Sequence, residues 1–422
     1  MWDLYEEHLD EAAFLWGQWE RSLDAANYTL DEVIDGPEER LRAHLDGLVL
    51  GGRPVADKLL IPALADEDED EGKVTAAAWA LLHAEGADHL DLVFEALVRA
   101  QKRETRQALG RAFELAERPD LGARLRPFLE GSAAPVQATI VNVLSARRPA
   151  ASPAQPPAWG FPLETFLESR HQELQAAALR ALCRTPDPVF ARYVEKSLVS
   201  PYVVIRDVAI EAGIRLGLAA ARTACSKLVG RNAAGSRLAL AVLAAGGEPV
   251  DVAIVIRKLE VETMRCDALW ALAFAGTAQA AEAALAWTGH EAVDALAADA
   301  FATITGARIG GALAKPGPAK QDTPPDDDGP LPVVSPESSL PSPNAERLRA
   351  WWNQAGTRFA PGTRYLFGQP MSPAVLRAAL ASGPTWRRRA WNIDLAMQGA
   401  GAPVETSRWA RSARAALARV IT

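Results

Sequence analysis

The chain has 422 residues, of which 49% are hydrophobic, 23% are charged and three are cysteine. This hydrophobic content argues against global disorder, and the length exceeds what one compact core usually organises, so we expect several domains or a repeat array. The net charge of -8 argues against a generally basic protein that binds nucleic acid directly.

The charge is distributed unevenly along the chain. Residues 1–100 carry 24 acidic and 7 basic side chains, a net of -17, whereas residues 345–422 carry 3 acidic and 12 basic ones, a net of +9. Such an uneven charge distribution affects which partners the protein attracts and how fast it associates with them, and not its fold. No stretch approaches the roughly 20 apolar residues that cross a bilayer, and the acidic N-terminus is unlike a secretory signal. We therefore predict a cytoplasmic protein with no membrane partner.

The first predicted elements are two helices of unusual sequence. Apolar side chains recur at helical spacing over residues 2–22. Thr29 and Glu32 form a capping box, and the helix that follows stops at Gly51. Because this segment differs from the rest of the chain, it is typical of the terminal cap of a repeat array.

A pair of small and apolar residues then recurs at steps of 31, 30, 29 and 32 residues, with further apolar or small residues three and four places on. These positions make one packed helix face, and their recurrence predicts a two-helix unit stacked on copies of itself. We therefore predict an all-α, HEAT-like α-solenoid, with fainter copies over residues 54–147 and an extended concave surface suited to a macromolecular partner. The pairs are Ala178-Leu179, Ala209-Ile210, Ala239-Leu240, Ala268-Leu269 and Ala300-Phe301.

Composition divides the chain into four parts. Proline-rich residues 149–160 predict a joint between two helical blocks, and proline, glycine and aspartate over 315–344 predict a flexible linker. Beyond this linker, a basic segment with helical periodicity is small enough that we expect it to dock on the array or on a partner. The predicted units are an acidic block (1–148), a repeat block (161–312), the linker (313–344) and the small basic helical module (345–422).

Motifs for catalysis are absent from the sequence, including the phosphate-binding glycine loops, the zinc-protease HExxH and CxxC. His8 and His44 lie on apolar helix faces beside carboxylates, which fits either a two-histidine, one-carboxylate metal site or a pair of half-buried histidines; we favour the second. Cys183, Cys225 and Cys266 fit small buried core residues. We therefore predict a protein that is not an enzyme and holds no metal or cofactor.

Two charged runs are the candidate partner-binding residues. The first comprises Asp66, Glu67, Asp68, Glu69, Asp70 and Glu71, and the second comprises Arg387, Arg388 and Arg389. The acidic run fits a solvated turn that also caps a helix, or a patch that docks a basic protein surface. The arginines fit either phosphate contacts or internal pairing with the acidic N-terminal half or the linker aspartates.

Several segments together resemble a known family. They are residues 4–16 (LYEEHLDEAAFLW), 43–48 (AHLDGL), 351–352 (WW) and 359–368 (FAPGTRYLFG). With these segments the chain resembles a family of HEAT-like repeat proteins of proteobacteria that are often encoded beside type VI secretion effectors and their spike-tip or chaperone proteins. The resemblance covers most of the chain outside the linker, and the family supplies no catalytic residues.

The resemblance implies an immunity protein that binds and neutralises a cognate secreted toxin, similar to the immunity protein of a nuclease-type effector. Acidic residues 66–71 would then approach the basic cleft of a nuclease. The alternative is an adaptor or chaperone that loads an effector onto the secretion spike through weaker, releasable contacts. A third possibility, from another class, is a metalloenzyme built on His8 and His44.

Overall fold

The computed structural model describes residues 2–66, 69–84, 89–147, 159–315, 336–400 and 406–421. Within these ranges the protein is all-α apart from one short hairpin, which confirms the predicted fold class. Among the described helices, none combines the length and the apolarity that a membrane crossing requires. Glu67 and Asp68 of the acidic run, most of the predicted joint and the centre of the predicted linker lie outside the described residues.

The N-terminal helices form as their sequence predicts. Thr29 closes a capping box, because its backbone N–H donates to Glu32 Oε2 at 2.8 Å and its hydroxyl accepts from the Glu32 N–H at 3.3 Å. π-helical turns at Ile34–Glu38 and Ala56–Leu60 join neighbouring segments. The helices are α1 (Trp2–Ser22), α2 (Leu30–Val33), α3 (Glu39–Leu50), α4 (Gly52–Val55) and α5 (Ile61–Ala65).

The central part of the chain alternates between two sets of helices. The first set is α6 (Glu71–His83), α8 (Arg103–Leu115), α10 (Ala134–Ala146), α12 (Gln172–Arg184), α14 (Val203–Arg215), α16 (Arg237–Ala245), α18 (Glu262–Ala275) and α20 (Asp294–Thr305). The second set is α7 (Leu90–Arg99), α9 (Leu121–Leu125), α11 (Leu163–Leu167), α13 (Ala191–Ser197), α15 (Ala219–Gly230), α17 (Pro249–Arg257) and α19 (Ala278–Ala286). Short 3-10 turns join them at Arg126–Leu129, Pro188–Phe190, Lys258–Glu260 and Gly311–Leu313.

The first set forms a central layer in which each helix packs on the next member of the set. The recurring pairs found in the sequence fall in α12, α14, α16, α18 and α20, and all ten of their residues are buried. In α18 every residue from Ala268 to Ala275 is buried, so this helix is covered on all sides. The stacking of alternate helices agrees with a two-helix repeat, while the superhelical form of the solenoid stays a prediction.

The C-terminal module supplies the second cover of the central layer. Its elements are a 3-10 turn (Pro336–Ser339), α21 (Ala345–Ala355), a 3-10 turn (Gly356–Arg358), β1 (Tyr365–Leu366), β2 (Gln369–Pro370), α22 (Pro373–Ser382), a 3-10 turn (Thr385–Arg387), α23 (Arg388–Met397) and α24 (Ala410–Ile421). Helix α23 packs on α14, α16 and α18, and α24 contacts α2. The predicted docking of this module on the array is therefore observed.

Two glycines let the β1–β2 hairpin approach the ends of α18 and α20. Gly276 and Gly306 have positive φ values of 69° and 74°, and a Cβ atom at either would lie 2.7 or 2.6 Å from a hairpin backbone oxygen. The hairpin donates backbone N–H groups to these helix ends, from Tyr365 to Gly276 O and from Phe367 to Thr303 O, both at 2.7 Å. The hairpin thus satisfies carbonyl groups that helix ends leave unpaired.

The cysteines follow the prediction only in part. Cys183 and Cys225 are buried, and burial raises the pKa of the Cys225 thiol to about 12. Cys266 is exposed, so its assignment to the core was wrong. It precedes the run of buried residues in α18 and lies at the start of the helix.

Candidate functional site

The arginine run is largely enclosed by the chain's own packing. Arg387 has no exposed surface; it forms an ion pair with Asp299 of α20, and its Nη1 donates to the Trp270 carbonyl at 3.2 Å. Its guanidinium also lies 4.6 Å from the ring centroid of Trp386. A side chain in this position fixes the module on α18 and α20 and offers nothing to a partner.

The other two arginines differ sharply in exposure. Arg388 is buried; its Nε donates to the Leu380 carbonyl at 3.2 Å, and burial lowers its pKa to about 10. Arg389 is 56% exposed and pairs with Glu211 of α14 at 2.8 Å. Arg387 and Arg389 thus pair with Asp299 and Glu211 of the repeat block, and not with carboxylates of the N-terminal half. Of the three arginines, only Arg389 has an accessible side chain.

An aromatic cluster joins the C-terminal module to the N-terminal block. The Trp409 ring lies 6.0 Å from Trp16, 4.7 Å from Trp19 and 6.2 Å from Trp79, measured between centroids, and its Nε1 donates to the Leu115 carbonyl at 3.1 Å. Paired aromatic rings of this kind add to the free energy of burying their surface. The C-terminal module therefore covers side chains of α1, α6 and α8.

Two residues of the acidic run, Glu69 and Asp70, have a local structural role. The Asp70 side chain caps α6 by accepting from the Gly72 and Lys73 N–H groups at 2.9 and 3.2 Å. Lys73 pairs with Glu69 at 3.7 Å and with Asp10 of α1 at 2.8 Å, and the hydrogen bond to Asp10 holds the pKa of Lys73 above its usual value. The run therefore caps α6 through Asp70, and Lys73 links the start of α6 to the first helix.

This contact extends the acidic surface along α1. Asp3, Glu7, Asp10 and Phe14 follow one another at steps of four, three and four residues, which places them along one side of the helix. The three carboxylates are exposed, and Phe14 is 50% exposed. We call these four residues, together with Glu71 at the start of α6, the acidic face.

Most carboxylates of the acidic face have no cationic neighbour. Among the described residues, no hydrogen-bond or ion-pair partner contacts the side chains of Asp3, Glu7 or Glu71, whereas Asp10 pairs with Lys73. The run of consecutive carboxylates predicted residues 66–71 as a partner-binding patch but did not indicate α1. The helical spacing of Asp3, Glu7 and Asp10 was the signal that could have identified this surface.

His8 and His44 are brought together, with 3.1 Å between their Nδ1 atoms. Burial, together with the neighbouring His8, lowers the pKa of His44. Nothing in the described part of the chain groups three His, Cys, Asp or Glu side chains where they could hold a metal ion. A single hydrogen bond from one ring nitrogen to the other accounts for this geometry.

The exposed groups on this side of the molecule thus combine uncompensated negative charge with one aromatic ring, which suits recognition of a basic protein surface. No protein-family model matches the chain, and no curated protein sequence matches it.

Proposed function

We propose that the protein is an immunity protein that binds a cognate type VI secretion toxin of the nuclease type and neutralises it. The observation that carries the proposal is the acidic face, in which exposed carboxylates and the half-exposed ring of Phe14 lie along one side of α1, with the exposed Glu71 at the start of the neighbouring α6. A nuclease has to present basic side chains to the phosphates of its substrate, so a surface of this charge competes for the same groups.

The acidic face favours fast association as well as binding. Asp3, Glu7 and Glu71 have no ion-pair partner among the described residues, so their field reaches a basic partner uncompensated. Phe14 supplies an aromatic side chain of the kind that anchors protein interfaces. We expect charge to govern the association rate and Phe14 to govern the lifetime of the complex.

The decisive experiment is co-expression of the full chain with the toxin encoded by the neighbouring gene, scored for growth and for a complex stable in size exclusion. The test variant combines Asp3→Asn, Glu7→Gln and Glu71→Gln; a second variant is Phe14→Ala. We expect the triple variant to lower the association rate by at least about tenfold at low salt and to lose much of its salt dependence.

The matched control removes the same charge elsewhere. Glu195, Glu262 and Glu282 are exposed and have no side-chain partner among the described residues, so their triple glutamine variant should protect cells as the parent does. If both triple variants lost growth protection and association rate equally, net charge would explain the effect. That result would contradict the acidic face as the docking surface. A complex without rescue of growth would favour the adaptor function.

A further inference from the structure

A cavity of about 510 Å³ lies on the central layer, away from the acidic face. It extends along α10 from Pro135 to Asn142 and along α12 from Gln172 to Arg180. Its size is that of pockets that hold small molecules. Helix α23 of the C-terminal module packs on α14, the next helix of the central layer after α12.

Four arginines line this cavity, and three of them have no carboxylate partner. Arg103 pairs with Glu173 at 3.1 Å. The Nη1 atom of Arg106 donates to the carbonyls of residues 100 and 101, which fixes the side chain without neutralising it. For Arg170 and Arg180, no hydrogen-bond or ion-pair partner is found among the described residues. The lining therefore carries excess positive charge.

The helices add to this positive charge. The first or second residues of α8, α10, α12 and α14 line the cavity, namely Arg103, Pro135, Gln172 and Val204. None of these four helices has a side-chain cap. First-turn N–H groups carry the positive end of the helix dipole. These helix ends, although Pro135 itself has no N–H, therefore add to the positive charge of the three lining arginines that have no carboxylate partner among the described residues.

Arg180 is the lining arginine whose charge is least compensated by its surroundings. It is partly buried, and burial together with the nearby Arg184 lowers its pKa, although Glu114 opposes this shift. Arg184 donates to the Ser145 hydroxyl at 2.8 Å and, as a second cation, adds repulsion and not compensation. A cation kept here at a cost to stability is typical of a functional site.

We propose that this cavity binds a small molecule that carries two or more phosphate groups. Guanidinium groups match phosphate oxygens through paired N–H donors. Arg106 on α8 and Arg180 on α12 lie on helices that both pack on α10, so a ligand with two or more phosphates suits arginines on two separate helices. Among the described lining residues there is no Phe, Tyr or Trp to stack on a nucleobase. His171 is the aromatic side chain of the described lining, against four arginines, so the lining offers more groups to phosphates than to a base.

The test is calorimetric titration of the full chain with inorganic tripolyphosphate, repeated with citrate and with a short single-stranded oligonucleotide. We expect saturable binding of tripolyphosphate that weakens as salt increases, and weaker binding of citrate. Arg180→Gln and Arg170→Gln should each lower the association constant by at least about tenfold, whereas Arg308→Gln, an exposed arginine elsewhere, should leave it unchanged.

Thermal unfolding separates ligand binding from folding in the same variants. Arg180→Gln should unfold at the same temperature as the parent or higher without ligand, and should lose the stabilisation that tripolyphosphate confers. Equal binding by the parent and by both cavity variants would overturn the proposal, as would no binding at all. Tighter binding of the oligonucleotide than of tripolyphosphate would overturn it in favour of a nucleic-acid site.

Discussion

Arg387 illustrates how a single buried charge fixes the C-terminal module. Its partner Asp299 is 17% exposed, and the arginine itself is fully buried. Removing one member of such a pair leaves the other charge uncompensated. We predict that Arg387→Ala lowers the free energy of unfolding in urea by about 3–5 kcal/mol.

Two companion variants test this explanation. Replacing both members, as Arg387→Met with Asp299→Asn, should recover much of the loss because no unpaired charge remains. Arg231→Ala, at an exposed position, should change stability by less than about 0.5 kcal/mol. A loss in the double variant as large as in Arg387→Ala would attribute the effect to packing and not to charge.

Glu211 gives the molecule an acid-sensitive contact. Burial alone would raise its pKa, but Arg389 and Arg215, at 2.8 and 3.0 Å from its two oxygens, hold the pKa below the usual 4.5. A carboxyl whose pKa is lower in the folded state stabilises fully above its unfolded pKa and loses that contribution as pH falls through the folded value.

We therefore predict that Glu211→Gln is less stable than the parent at neutral pH and that the difference shrinks as pH falls below 4.5. The measurement is urea unfolding of both proteins at several pH values between about 3 and about 7. Glu282→Gln, at an exposed position without a partner among the described residues, should show no pH-dependent difference. A constant difference for Glu211→Gln would contradict the ionic explanation.

At the scale of elements, a buried carboxylate from the N-terminal block caps the last helix. Glu38 has no exposed surface; it accepts from the N–H groups of Ala410 and Arg411, from Arg411 Nε at 3.2 Å and from Trp19 Nε1 at 3.0 Å. A negative charge at a helix N-terminus is stabilising, and more so when it is buried.

We predict that Glu38→Ala detaches α24, because it leaves these donors buried without an acceptor. Amide hydrogen exchange should accelerate across residues 410–421 and stay unchanged in α18. The neighbouring Glu39 is exposed and without a partner among the described residues, so Glu39→Gln is the matched control. Unchanged exchange in α24 after Glu38→Ala would show that the tryptophan cluster alone holds the helix.

The sequence predicted what depends on local pattern and missed what depends on contacts across the chain. The recurring small and apolar pairs predicted the helices of the central layer, and the small size of the basic segment predicted that it docks on the array or on a partner. The contacts that hold this segment were not readable, because Trp409 reaches Leu115 over 294 residues. No periodicity encodes such a pairing, and the acidic face likewise needed α1 and α6 to be placed side by side.

At the scale of the whole molecule, part of the charge polarity is used internally. Arg411 pairs with Glu38, and Arg414 pairs with Asp31 at 2.9 Å, so the basic module neutralises acidic groups of the N-terminal block. In the acidic face, Asp10 is paired with Lys73, whereas Asp3, Glu7 and Glu71 have no ion-pair partner among the described residues. The net charge of -17 over residues 1–100 is therefore larger than the negative charge that a basic partner would meet. The charge that remains exposed still lies in this part of the chain.

Because the module binds both the repeat block and the N-terminal block, it should stay bound after its covalent link is cut. We predict that a protease site inserted within residues 316–335 yields two fragments that still elute together in size exclusion at physiological salt. The tryptophan cluster and the Arg387–Asp299 pair supply the contacts that survive cleavage. Adding Arg387→Ala and Trp409→Ala to the cleaved protein should make the fragments separate at a lower urea concentration than the unmutated pair, because two of the contacts that hold the module are then lost. Separation of the unmutated fragments would mean that the link, and not the interface, keeps the module on the central layer.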